Sequence, residues 1–509
     1  NNSGSAYVYN NIANTATGEN VILDLSNYKG NSVKIAFYGE STESNADNYL
    51  HIDNVIVGTP TPAGNWIDAT TNVEEQSFQL TGLTAGTKYD VHVKSNCTSG
   101  EYCEPISFTT LAEGNMVFTN ATNDGKWGTA GNWAPAQLPV LTDEVILRAN
   151  ATIESNCVAA AKKINLNSNT LTIADGGQLQ TDNTVTATVK KNITGYGAGN
   201  EEDRAGYYLI GNPLSSTIYV YNTDETYGMR TGTYDLYSWS RTSDLEWSYY
   251  GANNNSTLYM YNGNGYLYAN AADVTLTFTG TVKANNTDVT VTPSYAAPTE
   301  TQEFRDWNLY ANPFVCNAYL NDANDNLAFY RMNPETGAGF IAATGAIAPM
   351  EGIFVQATDA NQTFKFSRNQ IANSRGQLNI NLSKAATRGA SLADNAIIRF
   401  GEGNLLEKFC FSNNSSKVYI PMEGKDYAVV NAESNVGEMP VSFEAKNNGT
   451  YTLSFTNEEV SFAYLHLIDN MTGIETDLLA NPSYSFEDRT TDYESRFKLV
   501  FATGNNAND

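Results

Sequence analysis

Hydrophobic and polar residues alternate along most of this chain. In VKIAF (33–37), Val33, Ile35 and Phe37 fall on one side, the two-residue period of a half-buried strand. VSFEA (441–445) and YTLSF (451–455) repeat the pattern on either side of Asn447, Asn448 and Gly449, which predicts a hairpin. LTIADGGQLQ, VTLTF and FKLVF continue it. Helical periodicity is nearly absent, and only LADNAI leaves room for a short helix. The pattern predicts an all-β chain of sandwiches or barrels in series.

The spacing of motifs divides the chain further. YYLIGNPLSS (207–216) matches WNLYANPFVC (307–316), placing Asn212-Pro213 and Asn312-Pro313 a hundred residues apart. YDLYSW (234–239) answers LAFYRM (327–332), and NGYLYANAADVTLTF (264–278) answers EGIFVQATDANQTFKF (351–366). Residues 191–374 therefore read as one duplicated β unit with paired Asn-Pro motifs, each Asn-Pro closing a strand at an equivalent corner. Residues 112–190 carry short strands separated by Asn and Gly, a solenoid-like pattern. Residues 375–504 hold enough strands for one C-terminal β-sandwich, and 505–509 read as a tail.

Composition narrows the function classes. At 509 residues the chain has room for about three to five domains. It carries 29 basic and 55 acidic residues, a formal charge of -26, which repels phosphate backbones and argues against a nucleic-acid partner. No apolar run spans a bilayer. The absence of a leader and an initial Asn read as a mature or trimmed chain. Of five cysteines, Cys97 and Cys103 flank the small polar turn TSGEY, a spacing that suits a hairpin disulfide in an oxidising compartment. Cys157, Cys316 and Cys410 are isolated, with no zinc spacing.

Several segments carry a resemblance. NSVKIAFYGESTESNADNYLHIDNVIVG, ending in Ile52, Asp53 and Asn54, resembles the closing strands of a cleaved-adhesin or MAM-like jelly roll, giving a partial module at 1–59. FQLTGLTAGTKYDVHVKSNC with ISFTT resembles the later strands of a fibronectin type III module at 60–111, and the resemblance makes Tyr89 the tyrosine-corner residue. With DNMTGIETDLLANPSYSF and RFKLVF at the end, the whole resembles multidomain secreted proteins of the Bacteroidota that leave the cell by type IX secretion. The resemblance implies a string of β-sandwich, jelly-roll and short solenoid-like modules at the outer cell surface or beyond it. Because related jelly rolls hold a structural calcium, it also points to Glu40, Glu43, Asp47 and Asp53 as calcium ligands. The two incomplete N-terminal sandwiches leave open edges for self-assembly.

Candidate chemistry is sparse. His51, His92 and His466 lie in alternating strand contexts, and no HExxH, nucleophile elbow or phosphate loop occurs. Glu475, Asp477, Glu487, Asp488 and Asp492 fall at turns or strand ends of the last module, with Arg496 and Lys498 facing outward. Asp322 to Asn326 spaces oxygen ligands but lacks the Gly and Glu of a calcium loop. Trp127 and Trp133 are either ligand platforms or the cap of the solenoid. Trp239, Trp247, Tyr249 and Tyr250, set among Asn and Ser, are either a glycan platform or sheet packing. The function expected is a non-enzymatic adhesin-like protein binding an extracellular glycan or protein. The alternatives are a glycan-binding accessory region of a larger enzyme and a structural subunit of a surface fibre.

Overall fold

The computed structural model describes residues 80, 83–84, 86–93, 105–110, 114–197, 206–220, 227–241, 246–251, 256–295, 303–322, 325–334, 339–371, 375–384, 391–409, 415–433 and 435–504. The chain divides into units 1–82 and 83–509. Apart from residue 80, every described residue belongs to the second unit. These residues are strands, turns and one 3-10 turn at Ala130–Asn132, so the fold is all-β. Among them no helix is long and apolar enough to cross a membrane.

Lys88–Val91 and Ile106–Thr109 form an antiparallel pair. Tyr89 stacks on Phe108, and its phenol oxygen accepts a hydrogen bond from Thr84 N at 2.8 Å, the backward bond of a tyrosine corner.

From Asn115 the chain coils as a parallel solenoid. Asn115–Phe118, Glu144–Leu147 and Lys163–Asn165 stack in parallel on one side. Ala151–Ile153, Leu171–Ile173 and Val185–Ile193 stack on the second, and Val158–Ala161 with Gln178–Thr181 on the third. Alternate residues such as Leu147, Ile153, Leu171 and Leu179 fill the interior. Asn120, Asn123, Asn156 and Asn167 take positive φ, which Asn tolerates at tight corners. Trp127 and Trp133 meet edge to face at 4.6 Å, both almost fully buried. They cap the first coil.

Val185–Ile193 serves two bodies at once, because it also pairs antiparallel with Val274–Val282 over nine residues. The solenoid thus passes into the first repeat through a shared strand, so the duplicated block starts earlier than residue 191. Among the described residues each repeat holds the same eight strands. In the first, Tyr208–Gly211, Gly265–Asn270, Tyr234–Trp239 and Trp247–Tyr249 form one sheet in that order, with Ile218–Val220 paired to Leu258–Met260. In the second, Trp307–Ala311, Gly352–Gln356, Phe329–Met332 and Phe340–Ala343 follow the same order, with Ala318–Asn321 paired to Ala346–Ile347. Val289–Val291 on Phe364–Ser367 repeats the pairing of Val185–Ile193 on Val274–Val282.

The copies face each other about a pseudo-twofold axis. Gly211 N donates to Met350 O, and its counterpart Ala311 N donates to Gly263 O. The bridges Ile210 to Glu351 and Asn264 to Tyr310 are likewise counterparts. Gly265 and Gly352 admit this approach: a Cβ on either would fall within 2.8 Å of the other copy's Leu309 and Tyr310 or Leu209.

Among the described residues the last module is a continuous sheet of 11 strands curled around one core. Three expectations change here. LADNAI lies in the strand Ser391–Phe400, flanked by Gln377–Lys384 and Lys425–Ala432. Ile397 and Ile398 on its opposite faces are both buried, one toward each neighbouring core, a pattern that lacks strand alternation. The Asn447 to Gly449 turn does not make a hairpin either. Val436–Glu444 pairs with Phe497–Thr503 and Lys417–Met422, whereas Gly449–Glu458 pairs with Gln377–Lys384 and Ser483–Asp488. The turn is an arch between layers: Phe443 and Tyr451 meet across the core at 4.9 Å, and Tyr451 OH donates back to Asn447 O.

Arg496 is the third correction. It lies just before the strand Phe497–Thr503, so the pleat does not set its direction. It is 2% exposed and joins the curled sheet's far sides, reaching Asp469 at 2.8 Å and Asp488 at 2.7 Å. Burial works against the Asp469 charge, but hydrogen bonds from Arg496, Tyr484 and Met471 N outweigh it and hold its pKa below the ordinary range. Burial pushes Asp488 upward against the pull of the same arginine.

Candidate ligand-binding face

The Asn-Pro corners are built alike. Asn212 Nδ2 donates to Ser216 O and Met260 O, and its Oδ1 accepts from Leu214 N. Asn312 Nδ2 donates to Cys316 O and Ile347 O, and its Oδ1 accepts from Phe314 N. Both side chains are fully buried, and all these bonds measure 2.8–2.9 Å. Each staples a turn to the strand opposite, satisfying backbone groups that burial would leave unpaired.

In the first copy that staple supports an exposed aromatic face. Ile218, Val220, Leu258 and Met260 point inward, so Tyr219 and Tyr259 point out. They oppose each other in register, with ring centroids 5.2 Å apart and planes at 80°. Tyr219, Tyr259 and Tyr261 are 44%, 49% and 51% exposed. Behind them the backbone is held at several points. Tyr266 OH donates to Tyr259 O and accepts from Tyr261 N, with burial pushing its phenol up to about 12. Asn212 holds Met260 O between the two tyrosines. On the partner strand, the buried Arg230 donates to Val220 O at 2.9 Å and to the phenol of Tyr234. The rings thus stand on a fixed support.

The second copy keeps the scaffold without the face. Register puts Tyr319 opposite Ala346 in place of the tyrosine pair. Phe364–Ser367 flanks Ala318–Asn321 on its other side, and Tyr319 is half-buried. Tyr266 corresponds to Ile353, which carries no phenol.

The aromatic residues singled out by sequence lie elsewhere. Trp239 and Trp247 are half-buried and meet edge to face at 5.1 Å. Both pack on Phe354 of the second copy, and Trp239 Nε1 donates to Trp307 O at 2.8 Å. Their rings belong to the seam between repeats. Tyr249 lies against Tyr237, and Tyr250 packs on the first-repeat core. The tyrosine face itself is legible as alternation in IYV and LYMY; the sequence does not reveal that the two segments pair.

Ionisable groups are largely engaged within the fold. Asp325 accepts from Arg375 at 2.6 Å and from Arg399 at 3.2 Å, and Asp322 accepts from Asn404. Two guanidinium groups on one carboxylate do not suit calcium. Burial draws Arg399 down to about 10, with Asp325 opposing. Lys408 reaches both oxygens of the buried Asp394 at 2.7 Å. His466 stacks on Tyr464 and contacts Glu475 at 2.8 Å. Among the described residues no group of three or more His, Cys, Asp or Glu is placed to hold a metal ion. The calcium candidates Glu40, Glu43, Asp47 and Asp53, the cysteines Cys97 and Cys103, and His51 lie outside the described residues. Comparison with family models, curated proteins and solved structures gives no match.

Proposed function

We propose that this chain is a non-enzymatic, adhesin-like binding protein of the cell surface or extracellular space, and that the first repeat presents its binding face. The observation that carries the reading is the exposed, in-register pair Tyr219 and Tyr259 with Tyr261 beside it. Large amphipathic rings on a fixed backbone offer contact area at low entropic cost. The preceding solenoid and the second copy hold that face in place through the shared strand and the pseudo-twofold seam. The test is solid-phase binding of the purified chain to mucin, extracellular-matrix protein and polysaccharide surfaces, alongside the variant Tyr219→Ala/Tyr259→Ala. The reading expects saturable binding to at least one surface, lost in the variant. Turnover of a peptide or glycan, abolished by one carboxylate substitution, would contradict it.

A further inference from the structure

The geometry points to an uncharged glycan chain as the ligand of the Tyr219–Tyr259–Tyr261 face. This deepens the binding-face reading and rests on it. Charge is the first discriminator. The chain has 84 charged residues, 29 basic and 55 acidic, yet residues 215–220 and 257–264 contain none. An anionic ligand meets no base on either segment, and the chain as a whole carries a net charge of -26. A cationic ligand finds no carboxylate on these two segments.

The mix of surfaces favours the same ligand. Two rings at 80° give one ring face and one ring edge side by side, a corner into which the C–H side of a sugar ring fits. Exposed Ser215, Ser216 and Asn264 lie on the same two segments and supply hydroxyl and amide partners for sugar hydroxyls. A purely apolar partner would leave these groups without hydrogen bonds, whereas a polyol satisfies them.

The second copy serves as an internal control. Its equivalent strand pair carries Tyr319 opposite Ala346 and has no phenol at the position of Tyr266. The pair of rings and the phenol behind it are thus absent together from the copy that does not display the face, although that copy keeps the Asn312 staple. Tyr266 acts as a positioning residue: its hydroxyl fixes Tyr259 O and Tyr261 N without itself being exposed.

Affinity gel electrophoresis of the full chain tests this with soluble xyloglucan, galactomannan and mixed-linkage β-glucan against polygalacturonate and alginate. At least one neutral polymer is expected to retard the protein, with retardation unchanged between low and high salt, since no ion pair is involved. Tyr219→Ala and Tyr259→Ala each weaken it about tenfold. Tyr266→Phe, which keeps the ring and removes the hydroxyl bonds, weakens it less while leaving the melting temperature within a few degrees. Tyr493→Ala, another exposed tyrosine, leaves it unchanged. Retardation by the acidic polymers alone, or by neutral polymers equally in all variants, overturns the inference. If no glycan binds but adhesion to protein surfaces still depends on Tyr219 and Tyr259, the glycan inference fails and the binding-face reading stands. If neither depends on them, both fail.

Discussion

The two Asn-Pro repeats share strand order, register and the three-bond staple of Asn212 or Asn312, yet their surroundings differ. The second copy is enclosed. Phe304, Trp307, Tyr330 and Phe354 share a core with Ile397, Leu406, Phe409 and Val429 of the last module, and Tyr330 OH accepts from Phe409 N. The first copy shares its core with the solenoid, to which the strand Val185–Ile193 joins it, and still leaves Tyr219, Tyr259 and Tyr261 about half exposed. Duplication thus supplies a scaffold twice, and burial decides which copy acts as a structural mate and which is free to display a surface. The pseudo-twofold seam makes that division workable, because it fixes the open copy against the enclosed one.

Equivalent positions in the two copies give the largest expected contrast. Tyr330→Ala removes a fully buried ring at the junction with the last module and is expected to cost about 3–5 kcal/mol in denaturant unfolding. Its counterpart Tyr237 is half-buried, and Tyr237→Ala is expected to cost about 1–2 kcal/mol. Equal costs would erase the distinction between copies.

The staples are expected to behave alike. Asn212→Ala and Asn312→Ala each strand buried backbone groups and cost about 2–4 kcal/mol, matching within about 1 kcal/mol. Cysteine chemistry sharpens this. Cys316, whose carbonyl accepts from Asn312, is buried, and burial pushes its thiol up to about 12. It should resist alkylation in the native protein and react faster in Asn312→Ala but not in Asn212→Ala, as read by peptide mapping.

A smaller effect concerns pH. Glu351 lies at the seam, bonded to Arg331 at 2.9 Å, where its counterpart in the first copy is the non-titrating Asn264. Burial pushes the Glu351 carboxyl above its ordinary range, with Arg331 pulling against it. The folded protein therefore holds this proton more tightly than the unfolded chain. The associated stability is full below about pH 4.3 and declines as pH rises through the folded pKa. Glu351→Gln should remove that part of the slope, as read from denaturant unfolding at a series of pH values. The smallest effect is expected at the open face: Tyr219→Ala and Tyr259→Ala each shift stability by about 0.5 kcal/mol or less while weakening binding about tenfold.

Much of this architecture is legible in sequence. Alternation locates the strands, and the matched Asn-Pro segments locate the duplication with its strand register, since Tyr237 and Tyr330 occupy equivalent pairings. Alternation says which side chains point inward and not which strands hydrogen-bond, so Asn447 to Gly449 reads as a hairpin although its strands lie in opposite layers. Arg496 reads as exposed because a cation beside a strand usually is; its burial depends on Asp469 and Asp488, brought together only when the sheet curls. Trp239 and Trp247 read as either a platform or sheet packing, because no local signal marks a seam against a second copy. The tyrosine face is legible only as alternation within each segment, since Tyr219 and Tyr259 are forty residues apart and only pairing makes them neighbours.

Hydroxyl-radical footprinting of the full chain tests the central claim most directly, because it reads side-chain exposure in both copies at once. The account predicts rapid oxidation of Tyr219, Tyr259 and Tyr261, slow oxidation of Trp307, Tyr330 and Phe354, and selective protection of the three tyrosines when a bound polysaccharide is present. Similar oxidation of the two copies, or protection that falls on Trp239 and Trp247 and spares Tyr219 and Tyr259, would contradict it.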